Sequence, residues 1–282
     1  MTIPIIDCHT HIFPKEIRES RENYLVDEPA FNILYHSPKS KLCGAAELIQ
    51  MMDEQEIQTS IVLGFPWKKK DTFQRHNDYL LESVMKYKGR LIGLCCFDLW
   101  NPHAADELER CLQAGLSGAG ELAFYDDSFD QYAQSMLPQI MDICREKNVP
   151  MMLHTNEPVG HAYHGKTNMQ LPHLYKLIQQ FKQNTIILAH WGGGIFFYNL
   201  MKRDVKETLS NVYLDTAASP YLYDPSIYAC AIQVFGSQKI LFGSDYPLIK
   251  PKRYVQEMEQ ANLSQQDFIA ICSDNARKLF NQ

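Results

Sequence analysis

The chain of 282 residues contains no apolar run approaching the roughly 20 residues that a membrane span requires. Its N-terminus opens on a strand-like run instead of a charged and then apolar leader, so neither membrane insertion nor secretion is expected, and the cytoplasm is the expected compartment. Among eight cysteines there is no C-x-x-C pair, which excludes a zinc-knuckle spacing and a disulfide framework. Most of them sit in apolar runs and read as reduced core residues. Basic charge is not in surplus either. With 27 Lys and Arg against 33 Asp and Glu, the net charge of -6 argues against nucleic acid or an anionic membrane as the main partner. Lys68-Lys69-Lys70, the one basic run of note, reads as a solvated loop. Gly192-Gly193-Gly194 lacks the flanking pattern of a phosphate loop and is expected to be a tight turn feeding a helix. No low-complexity segment or linker divides the chain, and a single domain over 1–282 is expected.

What is present is a repeating grammar of helix followed by apolar strand. The first strand ends in Ile5-Ile6-Asp7-Cys8-His9-Thr10-His11. Residues 12–43 show no clean period and read as a long loop, open to two readings: a lid, or a subunit contact in a homo-oligomer. Helical spacing then recurs at Ala45–Ile57, Asp71–Lys88, Ala104–Ala114, Tyr132–Lys147, Leu171–Gln183, Ile195–Leu209 and Pro225–Phe235. Each helix leads to a near-continuous apolar strand: Thr59–Phe65, Arg90–Asp98, Ser117–Phe124, Val149–His154, Thr185–His190, Asn211–Thr216 and Lys239–Ser244. Eight parallel strands covered on both faces predict a distorted (β/α)8 TIM barrel of class α/β, with a doubly wound open sheet as the alternative.

Barrel strands open onto one face at their C-terminal ends, so the polar residues found there are informative. His9 and His11 end strand 1, Glu121 lies in strand 4, His154 ends strand 5, His190 ends strand 6 and Asp245 follows strand 8. Singly, each has an ordinary reading as a hydrogen-bonded core histidine, a turn aspartate or one half of an ion pair. Together, at one barrel mouth, such groups are costly to bury without a shared partner, and a divalent cation satisfies them at once. Asp7 is expected to anchor its strand, and Cys8 to pack.

The Asp-x-His-x-His strand, Leu-His-Thr at strand 5, Ala-His-Trp-Gly-Gly at strand 6, Gly-Ser-Asp-Tyr-Pro at strand 8 and the closing Asn-Ala-Arg-Lys-Leu-Phe resemble the amidohydrolase superfamily. The nearest branch is the amidohydrolase-related, metal-dependent hydrolase group, which also holds the aminocarboxymuconate-semialdehyde and resorcylate decarboxylases. The resemblance implies His9, His11 and His154 as metal ligands, and Asp245 as the carboxylate that binds metal and accepts a proton from bound water. It implies His190 as a second-metal ligand or a group that polarises substrate. Strand 4 offers Glu121 where binuclear members carry a carbamylated lysine, and Glu121 could bridge two ions in its place.

A zinc-type ion in such a set lowers the pKa of bound water to about 7. The leading expectation is therefore a zinc-dependent hydrolase, with one or two ions, acting on a small amide, ester or lactone through Asp245 and His190. The alternative is a nonoxidative decarboxylase of a carboxylated aromatic or enol substrate; a barrel that has lost turnover and only binds is a third reading. Substrate contacts are expected from His161, His164 and Lys166 in the loop after strand 5, and from aromatic walls at Trp191 and Tyr125. Arg75 reads as a solvated helix residue.

Overall fold

The apolar, β-branched runs fold into eight short parallel strands that deliver the polar residues following them to one end of a barrel. The structure, a computed structural model, describes residues 3–125 and 136–281. The strands are β1 (Ile5–His11), β2 (Ile57–Leu63), β3 (Leu91–Leu94), β4 (Ala119–Leu122), β5 (Met151–Leu153), β6 (Ile186–Leu188), β7 (Val212–Asp215) and β8 (Ile240–Leu241). Ladders join β1-β2-β3 and β4-β5-β6-β7-β8. Two seams close the ring through single bridges, Cys95 to Ala119 and Thr10 to Tyr246. At the second seam Cys8 N–H donates to Phe242 O at 2.7 Å, His11 N–H to Tyr246 O at 2.8 Å and Asp245 N–H to His9 O at 2.8 Å. Asp7 fastens the same seam: its carboxylate accepts from the N–H and hydroxyl of Ser244 and from His9 N–H. The result is a distorted (β/α)8 barrel.

A layer of helices packs its apolar faces on the outside of the strands. Ala104–Ala114 ends at Gly115, whose φ of 113° supplies the left-handed turn that closes a helix. Inside the ring, Ile6, Cys8, Ile61, Leu63, Ile92, Leu94, Met152, Ile187 and Leu241 form a separate apolar cluster with Ala276 and Phe280 of the C-terminal helix. That cluster is the floor beneath the polar end. No helix among the described residues is long and apolar enough to cross a membrane.

Two expectations are corrected, and a third falls partly outside the described residues. Residues 12–43 are not a plain loop, since Lys15–Glu19, Glu22–Leu25 and Pro29–Tyr35 are helical. These helices are two turns or fewer, too short for a 3.6-residue period to register. They are held by aromatic packing, Phe31 stacking on Tyr35 at 4.9 Å and meeting Trp67 at 4.6 Å, and by Glu28, which accepts the N–H groups of Lys68 (2.7 Å) and Lys69 (3.0 Å). Second, no continuous helix spans 195–209. Left-handed backbone at Trp191 and Gly192–Gly194 coils the chain irregularly to Leu200, and only Arg203–Thr208 is α-helical. Gly193 is required there, because a Cβ would lie 2.3 Å from Asn156 O. Third, the helix before β5 is described only over Leu137–Lys147; the expected start at Tyr132 lies outside the described residues.

Candidate metal centre

At the C-terminal end of the strands the six polar residues converge. β1 carries a bulge beside His9, where Asp7 pairs with Ser60 but Thr10 with Val62. His9 Nε2 and His11 Nε2 face each other at 3.1 Å. Glu121 Oε2 lies 3.5 Å from His9 Nε2 and 3.7 Å from His11 Nε2, and Asp245 Oδ1 lies 3.7 Å and 3.4 Å from the same two atoms. The other oxygen of Glu121 faces His154 Nδ1 at 3.0 Å and His190 Nε2 at 3.4 Å. Glu121 is thus the hub of two donor groups, His9–His11–Glu121 and Glu121–His154–His190.

The backbone that presents these groups is strained. His190, Trp191, Ala218 and Asp245 all adopt positive φ, between 56° and 60°, a conformation costing roughly 1–3 kcal/mol for a non-glycine residue. Specific bonds hold it. Asp215 Oδ1 accepts the His190 and Ala217 N–H groups at 2.8 Å and 3.0 Å. The Tyr254 hydroxyl, accepting from Ala218 N–H and donating to Ser244 O, ties the turns after β7 and β8 together.

Whether the donor set fits a cation follows from the remaining ring nitrogens. His9 Nδ1 is 2.8 Å from Asp215 Oδ2, His11 Nδ1 is 3.2 Å from Gly64 O and His190 Nδ1 is 3.0 Å from Ala217 O. Each acceptor fixes a proton on Nδ1 and leaves an Nε2 lone pair directed into the cluster, the arrangement of a metal-binding imidazole. His154 is reversed, its Nε2 at 2.9 Å from Gly165 O and its Nδ1 turned to Glu121. Lone pairs facing one another beside two carboxylates call for a positive charge. The protonation equilibria say the same. Burial disfavours protonated His9, yet Glu121 and Asp215 outweigh it and raise its pKa well above the usual imidazole range. Burial opposes protonation of His190 as well, yet Glu121 brings its pKa up to about 9. Burial pushes Glu121 up, but His9 and His154 hold it well below the ordinary carboxylate range. The residues present can therefore hold a divalent metal.

The cluster opens into a cavity of about 770 Å³. Of the expected substrate contacts, Tyr125, His161 and His164 line it, and the Tyr125 ring lies 5.7 Å from that of His154. Two others are elsewhere. Trp191 is fully buried behind the cluster, its N–H donating to Ser219 Oγ at 2.9 Å and its ring against Tyr228. Lys166 turns back into its own loop, donating to Glu157 Oε1 at 3.1 Å and Val159 O at 2.6 Å, because that carboxylate is the nearest charge it can neutralise. Asp215 and Tyr35, unremarked in the sequence, also belong here, Asp215 orienting His9 and Tyr35 lining the cavity. Asp215 ends an apolar strand as His154 does, so the strand-end rule applied to β7 would have found it.

The chain is 26% identical over 286 residues to the gamma-resorcylate decarboxylase of Polaromonas sp. (strain JS666), covering 82% of this chain and 86% of that protein. The fold is similar to the crystal structure of 5-carboxyvanillate decarboxylase from Sphingomonas paucimobilis, with a TM-score of 0.79 and 16% identity over 99% of both chains. It is also similar to a dihydroxybenzoic acid decarboxylase from Polaromonas sp. JS666 with bound manganese and the inhibitor 2-nitroresorcinol, with a TM-score of 0.72 and 22% identity over 99% of this chain and 97% of that one. Residues 6–282 match the amidohydrolase family model, and the chain therefore belongs to the amidohydrolase family.

Proposed function

We propose that the chain is a metal-dependent nonoxidative decarboxylase of a small hydroxylated aromatic carboxylate. The observation that carries this reading is the cavity, where an aromatic wall of Tyr35, Phe65 and Tyr125 opens directly onto His11, Glu121, His154, His190 and Asp245 of the cluster. The decarboxylases among its relatives favour it over the hydrolase expected from the sequence. His9, His11, Glu121, His154 and Asp245 would hold a divalent ion, manganese in preference to zinc by likeness to the manganese-bound relative. That ion would supply the positive charge that binds and polarises the substrate carboxylate.

The proton chemistry falls to the chain. Burial pushes the Asp245 carboxyl up, but His11 and His9 hold its pKa below the ordinary value, so it begins as a base. It takes the proton of the substrate hydroxyl and passes it to the ring carbon bearing the carboxylate. The bond to that carboxylate then breaks, its electron pair returns to the ring and CO2 leaves. His190, held by Ala217 O and facing Glu121, orients the hub carboxylate. Tyr125 packs over His154 and excludes water from that side.

The test is manganese-loaded protein with gamma-resorcylate in D2O. Release of CO2 with one deuterium at the vacated carbon is expected, whereas turnover of lactones or esters without CO2 would restore the hydrolase. Metal analysis adds a second readout. The hydrolase reading keeps one supporting observation, the two histidine pairs on opposite oxygens of Glu121. Two ions per chain would favour it and one ion the decarboxylase.

A further inference from the structure

We propose that Lys166 is a positioning residue for the metal centre: it braces the loop after β5 so that the Gly165 carbonyl holds His154 with Nδ1 turned towards the ion. The inference rests on His154 being a ligand and is independent of which substrate is turned over. Three of the cluster's imidazoles are aligned by the barrel itself. His9 leans on Asp215 at the end of β7, His190 on Ala217 just beyond it and His11 on Gly64 just beyond β2. His154 differs, because its Nε2 meets Gly165 O at 2.9 Å, 11 residues further along in the loop that follows its own strand. A carbonyl only accepts, so Nε2 carries the proton and Nδ1 keeps the lone pair that faces Glu121. Were the loop to turn that carbonyl away, nothing else given for His154 would hold the proton on Nε2.

The loop is fixed by bonds of its own. Its neck is closed by the buried side chain of Asn156, whose Oδ1 accepts from the N–H and hydroxyl of Thr167 at 2.8 Å and 2.7 Å and whose Nδ2 donates to Thr167 O at 3.2 Å. The base is tied to the turn that carries His190, through the Thr155 hydroxyl donating to Ala189 O. Beyond the neck the Lys166 ammonium is the brace. It donates to Glu157 Oε1 (3.1 Å), Val159 O (2.6 Å) and His161 O (3.4 Å), and the Tyr163 hydroxyl donates to the other oxygen of Glu157 at 2.9 Å. Lys166 N–H also donates to Tyr163 O at 3.1 Å, so the turn containing Gly165 is bonded to the brace on both sides. The side chains of Lys166 and Glu157 are each only 16% exposed. Removing the ammonium therefore leaves a carboxylate and two carbonyls short of a donor in a screened place, and the loop must rearrange to hydrate them. Lys166 is not among the described residues that line the cavity, so it acts on His154 without reaching substrate.

The experiment is imidazole nitrogen NMR of the isotope-labelled chain with zinc, a diamagnetic probe, together with zinc affinity from competition with a chromophoric chelator. Wild type is compared with Lys166→Met, with Lys166→Arg, and with Glu157→Gln/Lys166→Met, which leaves no unpaired carboxylate should the single variant fail to fold. In wild type His154 should show a protonated Nε2 and an Nδ1 resonance that moves on adding zinc, the reverse of His9, His11 and His190. In Lys166→Met and in the double variant the His154 Nε2 proton should exchange with water or divide between the two nitrogens, while the other three imidazoles keep their pattern. Zinc should bind about 10-fold more weakly, the lower end of the effect of losing an outer partner of a ligand. Lys166→Arg keeps the charge and should recover both the signal and the affinity. An unchanged His154 signal and zinc affinity in Lys166→Met and the double variant overturns the proposal, as does an equal loss at His9, His11 and His190, which would report general loosening. No zinc-induced shift of His154 in wild type would remove it from the ligand set and the proposal with it. CO2 release by manganese-loaded wild type tests the decarboxylase reading separately, so a failure of either is recognised as its own.

Discussion

Glu121 and Glu107 are both buried carboxylates held below their ordinary pKa against the opposing effect of burial, yet they belong to different kinds of cluster. Glu107 lies among Cys95 and Cys111, a trio whose composition also suits a metal. It receives Arg110 Nε and Nη2 at 2.8 Å each, Asn77 Nδ2 at 2.9 Å and Gln74 Nε2 at 3.2 Å. These partners donate N–H and present no lone pair, and Arg110 cancels the charge, so the lone pairs of Glu107 are already used. Burial pushes the Cys95 thiol well above its ordinary pKa, which withholds the thiolate a soft metal needs. The partners of Glu121 are imidazoles, each of which can exchange a proton for a metal ion. Both clusters bury a carboxylate; the chemistry of its partners separates a structural knot from a candidate metal site.

Substitutions at Glu121, Asp245 and Glu107 separate the two clusters. The largest effect is expected at the metal cluster, where Asp245→Asn should lower CO2 release by about 10²–10⁴-fold, the usual contribution of a positioned acid–base group. A loss under tenfold, with the circular-dichroism melt unchanged, would remove Asp245 from the chemistry. At the other cluster, Glu107→Ala should cost about 3–4 kcal/mol in urea unfolding, because it strips a buried carboxylate from Arg110 and two amides. Metal content by elemental mass spectrometry should stay at the wild-type value in that variant and fall in Glu121→Gln. Metal loss in both variants would mean that the two clusters are not distinct.

Imidazoles sharpen the same contrast. His190 beside Glu121 is raised to about 9, whereas His76 has no carboxylate neighbour among the described residues, and burial lowers its pKa from 6.5 to about 4. Trp67 N–H donates to His76 Nδ1 at 2.7 Å, and the opposite nitrogen donates to Ile12 O at 2.6 Å, so the neutral ring is fully satisfied. Below 6.5 the unfolded chain takes up a proton that folded His76 refuses until about 4. The stability this residue confers is therefore complete above that window and declines as pH falls through it, by about 3 kcal/mol in total. Urea titrations from neutral pH downward should show a shallower decline in His76→Gln than in wild type, and identical slopes would refute the assignment. The smallest effect is metal removal. At a hundredfold excess over Kd a bound ion adds about 2.7 kcal/mol, so chelation should lower Tm by about 5 °C. Glu107→Ala should show the same shift, and Glu121→Gln little or none.

The amino-acid order by itself determined the eight strands and the direction in which they present their ends, because a buried parallel strand writes itself as an apolar run and a barrel opens at strand C-termini. Polar residues terminating such runs, His154 and Asp245 among them, could be read without coordinates. Only the tertiary structure decided which nitrogen of each histidine faces the cluster. His9 owes its orientation to Asp215, 206 positions away, and no local period carries a partner at that distance. The same reason separates Trp191 and Lys166 from the cavity. Each follows a strand as a cavity-lining residue would, but a hydrogen bond to Ser219 turns one inward and the charge of Glu157 turns the other back. Residues 12–43 became short helices and part of the cavity wall only on meeting Phe65 and Trp67, since helices of one or two turns are stabilised by the surface they pack against more than by their own residues.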